Sequence, residues 1–153
     1  MSVEIEIVRE ADDDVVAALS RLLPQLSTTA KALDREAVSR LLAFESNTVL
    51  AARVQGRIVG TLTLVIFPLP SGLRARVEDV VVDEAARGRG IAAALADKAL
   101  TLARESGART VDLTSRPSRE VANRLYERVG FQRRESIVYR FTLDGQTVTS
   151  GAP

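Results

Sequence analysis

Two periodicities alternate along the chain. Val3-Glu4-Ile5-Glu6-Ile7 alternates apolar and charged residues at period two and predicts a half-buried strand. At Asp12-Asp13-Asp14 the pattern changes. These carboxylates supply a cap and first-turn negative charge, and Val15, Val16, Leu19, Leu22 and Leu23 follow at helical spacing up to Pro24, which is expected to end the helix. Gln25 to Leu33 is polar and reads as a loop. A second helix is predicted from the cap Asp34 through Val38, Leu41 and Leu42. Thr48 to Val54 and Arg57 to Phe67 are β-branched runs joined by Gln55-Gly56, a hairpin signal, and Pro68 to Gly72 should break the second. Arg76 to Asp83 predicts another strand, centred on Val80-Val81-Val82.

The longest helix is predicted from Gly88 to Ser106, with Ile91, Leu95, Ala99 and Leu102 on one face and Gly107 closing it. Thr110 to Thr114 reads as a strand, Ser118 to Arg128 as a helix, and Phe131 to Arg133 and Ile137 to Leu143 as two final strands. The order is β-α-α-β-β-β-α-β-α-β-β. Hairpins make the middle strands antiparallel, while the strand–helix–strand unit from Arg76 to Thr114 requires a parallel crossover. An α/β fold with a mixed sheet and helices on both faces follows. Residues 1–145 are expected to form one domain and residues 146–153 a flexible C-terminal tail.

Composition narrows the chemistry. The chain has 153 residues, 46% hydrophobic and 27% charged, which suits one globular domain. The net charge of +1 gives no reason to expect a nucleic acid or a membrane surface as partner. No apolar run approaches the roughly 20 residues a membrane helix needs, and the charged start Met1 to Arg9 lacks a signal-peptide core, so a cytoplasmic location is expected. Cysteine and histidine are both absent. Thiolate nucleophiles, His-dependent triads and Cys/His metal sites are therefore excluded, no metal is expected, and acid–base work falls to Asp, Glu, Tyr, Lys or water.

One segment points to a ligand. Arg87-Gly88-Arg89-Gly90-Ile91-Ala92 sits between a strand and the long helix. Glycines let backbone N–H groups approach a ligand, a helix start carries about half a positive charge, and Arg87 and Arg89 add two more. A phosphate is the natural guest; a plain tight turn with solvated arginines is the alternative. No Gly-Lys-Ser/Thr is present for a P-loop. A dinucleotide fingerprint nearly fits as Gly88-x-Gly90-x-x-Ala93 with Asp112 beyond. Against it, the glycines do not follow the first strand, Asp83 to Arg87 intervenes, and too few parallel strands remain.

Two motifs carry a resemblance. Arg87-x-x-Gly90-x-Ala92 matches the pyrophosphate-binding pattern Gln/Arg-x-x-Gly-x-Gly/Ala, and Ala122-Asn123-Arg124-Leu125-Tyr126-Glu127-Arg128-Val129-Gly130-Phe131 matches Ala-x-x-x-Tyr-x-x-x-Gly-Phe. In this order and separation, with the predicted element order over residues 3–143, the chain resembles the GNAT superfamily of acyl-CoA-dependent N-acyltransferases. Val77-Glu78-Asp79-Val80-Val81-Val82 is also locally similar to the matching strand of glucosamine-phosphate N-acetyltransferases.

The resemblance implies an N-acetyltransferase domain that uses acetyl-CoA as cosubstrate and a small-molecule or peptide amine as acceptor, by direct transfer in a ternary complex. It implies cofactor contacts at Val80, Val81, Val82, Arg87, Gly88, Arg89, Gly90, Ile91 and Ala92. A backbone N–H at or near Val82 should bind the thioester carbonyl, where the strand pair splays. Tyr126 holds the position of the residue that supports the leaving thiolate. Many relatives carry Asn seven residues before that tyrosine; here Arg119 stands there and Asn123 is the nearby asparagine, and both are candidate cofactor contacts.

The proton on the attacking amine needs a base. Glu78 is the first candidate, because regular strand parity puts it on the face of Val80 and Val82; Asp79 is second, a water third, and a salt bridge to Arg74 or Arg76 is the structural alternative. A monomer and a homodimer are equally compatible with the sequence. A non-catalytic acyl-CoA-binding sensor of the same fold is the competing function.

Overall fold

The computed structural model describes residues 2–144. Five strands form one sheet in the order β1-β2-β3-β4-β5: Val3–Val8, Asn47–Val54, Arg57–Leu69, Gly72–Val82 and Val111–Asp112. The first four are mutually antiparallel and β5 joins β4 in parallel. Helices α1 (Asp13–Leu26) and α2 (Arg35–Ala43) follow β1, α3 (Ile91–Ser106) crosses from β4 to β5, and α4 (Glu120–Val129) follows β5. The predicted mixed α/β architecture is present.

Two apolar clusters flank the sheet. One joins Ile91, Leu95, Ala99 and Ala103 of α3 to Leu50, Leu62, Leu64, Ala75 and Val77. The other joins Val15, Ala18 and Leu22 of α1 and Val38 of α2 to Val49, Ala51, Ile58 and Val81. Complete burial of one such leucine contributes about 1.5–3 kcal/mol. Gly60 permits the first cluster to close: a Cβ there would stand 3.2 Å from Ile91 Cγ2 and 3.2 Å from the Val81 carbonyl oxygen, so α3 rests directly on β3.

Local chemistry sets most boundaries. Asp12 Oδ1 accepts from Val15 N at 2.9 Å and Asp34 Oδ1 from Ala37 N at 2.8 Å, the two expected caps. Gln55 and Gly56 both have positive φ (52° and 78°), as the tight β2–β3 hairpin requires. Pro24, however, does not end α1, which continues to Leu26; a proline in the last turn sacrifices only one backbone bond. Pro68 does not break β3 either, because it lies near the strand end, opposite Leu73. β4 begins at Gly72, four residues earlier than predicted, and β5 is only two residues long. α3 starts at Ile91, so Gly88 to Gly90 form a pre-helical turn.

The two final strands are absent: no residue from Phe131 to Leu143 is in a strand. Their alternating pattern finds no partner in the single chain. The tail predicted for residues 146–153 lies outside the described residues.

Candidate active site

The glycine turn is anchored at both ends and bare between them. Ala86 and Ile91 are buried, whereas Arg87, Gly88, Arg89 and Gly90 are all exposed. Gly88 and Gly90 have φ of 82° and 75°, a region disfavoured for residues with a Cβ, and nothing lies within 4 Å of a Cβ built at either. Gly90 is the N-cap of α3 and offers no side chain to cap it. The first N–H groups of the helix therefore face outward, with Arg87 and Arg89 flanking them. These residues fit a diphosphate.

The turn is held from behind by α1. Arg21 Nη2 donates to the Ile58 carbonyl at 2.5 Å and its Nε stands 3.9 Å from Asp83 Oδ2. Gln25 Oε1 accepts from Glu84 N at 3.1 Å, and Asp83 Oδ1 caps a short 3₁₀ turn, Glu84–Ala86. Sequence reasoning did not find Arg21 or Gln25 as supports, since nothing local ties them to a turn some sixty residues away.

β4 changes character along its length. Its parallel pairing with β5 is confined to Ala75↔Val111 and Arg76↔Asp112. Beyond Arg76 no strand pairs with β4 on that edge among the described residues. On the other edge, Thr61 pairs with Val81 but Thr63 with Glu78, so β4 carries one extra residue at Asp79-Val80. Asp79 takes φ of 50° there, a left-handed conformation uncommon for a residue with a side chain.

This bulge decides where groups point. Ala75 N donates toward β5, to Thr110 O at 2.9 Å, whereas Asp83 N donates toward β3, to Val59 O at 2.8 Å. Residues eight apart in a regular strand point alike, so the extra residue has reversed the alternation. With Asp83 N–H directed at β3, the Val82 N–H is directed at the open edge. The Val82 carbonyl on that edge accepts from Arg87 Nε at 3.3 Å, tying the strand end to the glycine turn.

The same reversal acts on side chains. Val77 packs with the α3 cluster, as do Val80 and Val82, while Val81 packs with the α1–α2 cluster. Glu78, one residue after Val77, therefore leaves the face of Val80 and Val82, and the parity argument that ranked it first does not hold across the bulge. Glu78 Oε2 instead receives Arg76 Nε at 3.3 Å. Asp79 is exposed as a residue, yet desolvation of its carboxyl, with the neighbouring Glu78 charge second, raises its pKa above the ordinary aspartate value.

On α4, which packs against α3, Tyr126 is buried at 8% exposure and meets Phe131 edge to face, centroids 5.9 Å apart. Desolvation raises its pKa, and the positive charge of Arg119 partly opposes that rise. Arg119, the N-cap residue of α4, thus acts electrostatically on the tyrosine two turns away. Asn123, on α4, is engaged by the loop that precedes the helix: Oδ1 accepts from Ser115 Oγ at 2.5 Å and Nδ2 donates to Arg116 O at 3.0 Å. No hydrogen bond or ion pair among the described residues joins Tyr126 to Glu78 or Asp79. The turn and the end of β4 form one unit, and α4 reaches it through α3.

The five-stranded mixed sheet flanked by four helices defines the class, an acetyltransferase fold. The sequence matches the acetyltransferase (GNAT) family over residues 14–131, and the chain belongs to that family. It is 34% identical over 91 residues to N-alpha-acetyltransferase MAK3 of Arabidopsis thaliana, a match that covers 60% of this chain and 47% of that protein. The chain thus spans about half the length of this curated relative. Among solved structures it is similar to a ribosomal-protein-alanine N-acetyltransferase from Brucella melitensis biovar Abortus 2308, with 28% identity, a TM-score of 0.72 and coverage of 92% of this chain and 100% of that one. It is also similar to an aminoglycoside acetyltransferase from an uncultured soil metagenomic sample, with 26% identity, a TM-score of 0.76 and coverage of 94% and 99%.

Among the described residues no helix is long and apolar enough to cross a membrane, and no cluster of three or more His, Cys, Asp or Glu could hold a metal.

Proposed function

We propose that this protein transfers an acetyl group from acetyl-CoA to an amine, by direct attack with donor and acceptor bound together. The observation that carries the reading is the junction of β4 and α3. There an open strand edge with an outward N–H at Val82 runs straight into an uncapped helix start flanked by arginines. Acetyl-CoA supplies an acyl group activated as a thioester. Arg87, Gly88, Arg89, Gly90, Ile91 and Ala92 would hold its diphosphate, and Val80 to Val82 would line its pantetheine side.

Each remaining task falls to a group of this chain. The Val82 N–H is placed to donate to an oxygen on which negative charge develops. Tyr126 stays protonated, since burial raises its pKa, and can donate to a sulfur that is gaining charge. The base belongs to the Glu78–Asp79 pair. Asp79 is the better candidate, because its raised proton affinity brings it nearer the working pH while Arg76 occupies Glu78. Arg119 acts on the tyrosine through its charge, and Asn123 ties α4 to the loop before it.

The strength of the base bears on the acceptor. Neutralising a lysine-type amine of pKa about 10.4 at pH 7 costs about 4.6 kcal/mol, whereas an α-amine of pKa about 7.8 costs about 1.1 kcal/mol. A carboxylate in a chain without histidine suits the second, and two of the relatives above are named for N-alpha and ribosomal-protein-alanine acetylation. A peptide α-amine is therefore the proposed acceptor class. The test is thiol release from acetyl-CoA with a free-N-terminus peptide, with its Nα-blocked lysine counterpart, and with an aminoglycoside. Faster turnover of the free α-amine supports the reading. Preference for the lysine peptide or the aminoglycoside overturns the acceptor class, and calorimetry showing no binding of acetyl-CoA overturns the donor.

A further inference from the structure

The end of the β3–β4 hairpin gathers positive charge that no carboxylate answers. Arg74 Nη2 donates to Ser71 Oγ at 3.0 Å, and Arg109 Nη1 donates to the Ser71 carbonyl oxygen, so two guanidiniums converge on one small residue. Among the described residues neither arginine makes an ion pair. Arg74 Nε is also shielded from solvent and has no hydrogen-bond partner there. Gly72 makes the approach possible, because a Cβ on it would stand 2.5 Å from Arg109 Cδ. The backbone pins Arg109 in turn, its N–H donating to Leu73 O at 2.9 Å. Like charges held side by side repel, and an orphaned N–H costs free energy, so the cluster gains from an anion.

Strand register connects this cluster to the candidate base. Ala75 and Val77 point into the α3 cluster, so Arg74, Arg76 and Glu78 share the opposite face of β4. Phe67, Val65 and Thr63 stand across from them on β3, in the same order. Val65 and Phe67 belong to neither core cluster; the core under α1 and α2 stops short of this part of the face. The two arginines differ. Arg76 is engaged: its Nε meets Glu78 Oε2 at 3.3 Å, its Nη2 donates to Thr114 Oγ1 at 3.1 Å, and Asp112 is its neighbour on β5. Arg74 has no carboxylate beside it. Along the strand it lies roughly 13 Å from Glu78, at about 3.3 Å per residue.

We infer that Arg74 and Arg109, with the Ser71 hydroxyl, bind a carboxylate side chain of the acceptor peptide. The inference rests on the acceptor reading above and adds a sequence preference to it. An extended peptide advances at the same rise as the strand beneath it. With its α-amine at the Glu78–Asp79 pair and its chain laid along this face, about the fifth residue comes level with Arg74. The stretch between crosses Val65 and Phe67, which suit apolar side chains, and Arg76, whose charge Glu78 and Asp112 already balance. Arg74 is thus a specificity-determining residue. It stands too far from the reacting groups to touch them, so it acts on acceptor binding and leaves the chemical step alone.

Three peptides with free N-termini test this by thiol release from acetyl-CoA: one with aspartate at the fifth position, one with asparagine there and one with lysine. The aspartate peptide should exceed the asparagine peptide in kcat/KM by about tenfold, through KM with kcat unchanged. The gap should shrink at high salt, as for any partly exposed ion pair. Arg74→Glu should reverse the order in favour of the lysine peptide, while turnover of the asparagine peptide stays at the parent rate and shows the variant to be folded. Acetylation of all three without an acid preference overturns this inference and leaves the α-amine reading intact. So does an acid preference that Arg74→Glu leaves standing. No acetylation of any of the three overturns the α-amine reading, and this inference with it.

Discussion

The two halves of β4 belong to one strand and do different work. From Gly72 to Val77 the strand keeps regular register with β3 and touches β5 on the far side; Ala75 and Val77 are simply core. From Glu78 to Val82 the strand gains a residue, loses its far neighbour and turns one backbone N–H outward. Valine at 77 and valine at 82 are chemically identical, yet one fills space and the other offers a donor. Function on this sheet begins where pairing stops. The bulge that marks the boundary also reassigns every side chain beyond it.

That contrast can be broken from either side. On the paired side, Leu64→Ala, opposite Val77 and fully buried, should cost about 2–5 kcal/mol in denaturant unfolding. It should leave kcat/KM of the folded protein within about twofold. A large loss of turnover at full stability would show that the paired half is not merely structural. On the open side the pattern should invert. Asp79→Asn should lower kcat by about 100-fold while acetyl-CoA affinity is retained, with Glu78→Gln milder. If Glu78→Gln is the more damaging of the two, the base assignment reverses.

Gly90→Val places a β-branched residue at φ of 75° and tilts the helix start away from its ligand. Acetyl-CoA binding by calorimetry should weaken about 30-fold, with the melting temperature lowered only slightly. Unchanged affinity would remove the diphosphate from this turn. Tyr126→Phe should reduce kcat about tenfold and keep acetyl-CoA binding; a protein that binds acetyl-CoA but shows no turnover before or after the change is a sensor rather than an enzyme.

The smallest effect concerns stability and pH. The folded pKa of Asp79 lies above its unfolded value, so its favourable contribution is complete below the ordinary aspartate range and is lost as pH rises through the raised value. At neutral pH the charged carboxyl opposes folding. Asp79→Asn should therefore melt slightly higher than the parent at pH 7, and the difference should shrink toward pH 3. A gap that widens in acid would contradict the desolvation account.

The sequence by itself determined the elements whose causes are local. Caps at Asp12 and Asp34, the Gln55-Gly56 hairpin and the glycines before α3 depend on neighbours a few residues away, so they were legible. So were the family and the residues of the turn, because its backbone must adopt positive φ and only glycine does so freely. Tertiary structure decided the rest. Strand parity from Ala75 could not be carried to Val82, because the bulge at Asp79-Val80 exists only as a mismatch with β3. Arg21 and Gln25 reach the turn only after α1 packs across the sheet. The alternation from Ile137 to Leu143 declares strand chemistry but contains no information on which edge will receive it, since pairing energy resides in the partner. Periodicity is a property of one segment; register, splay and partnership are properties of two.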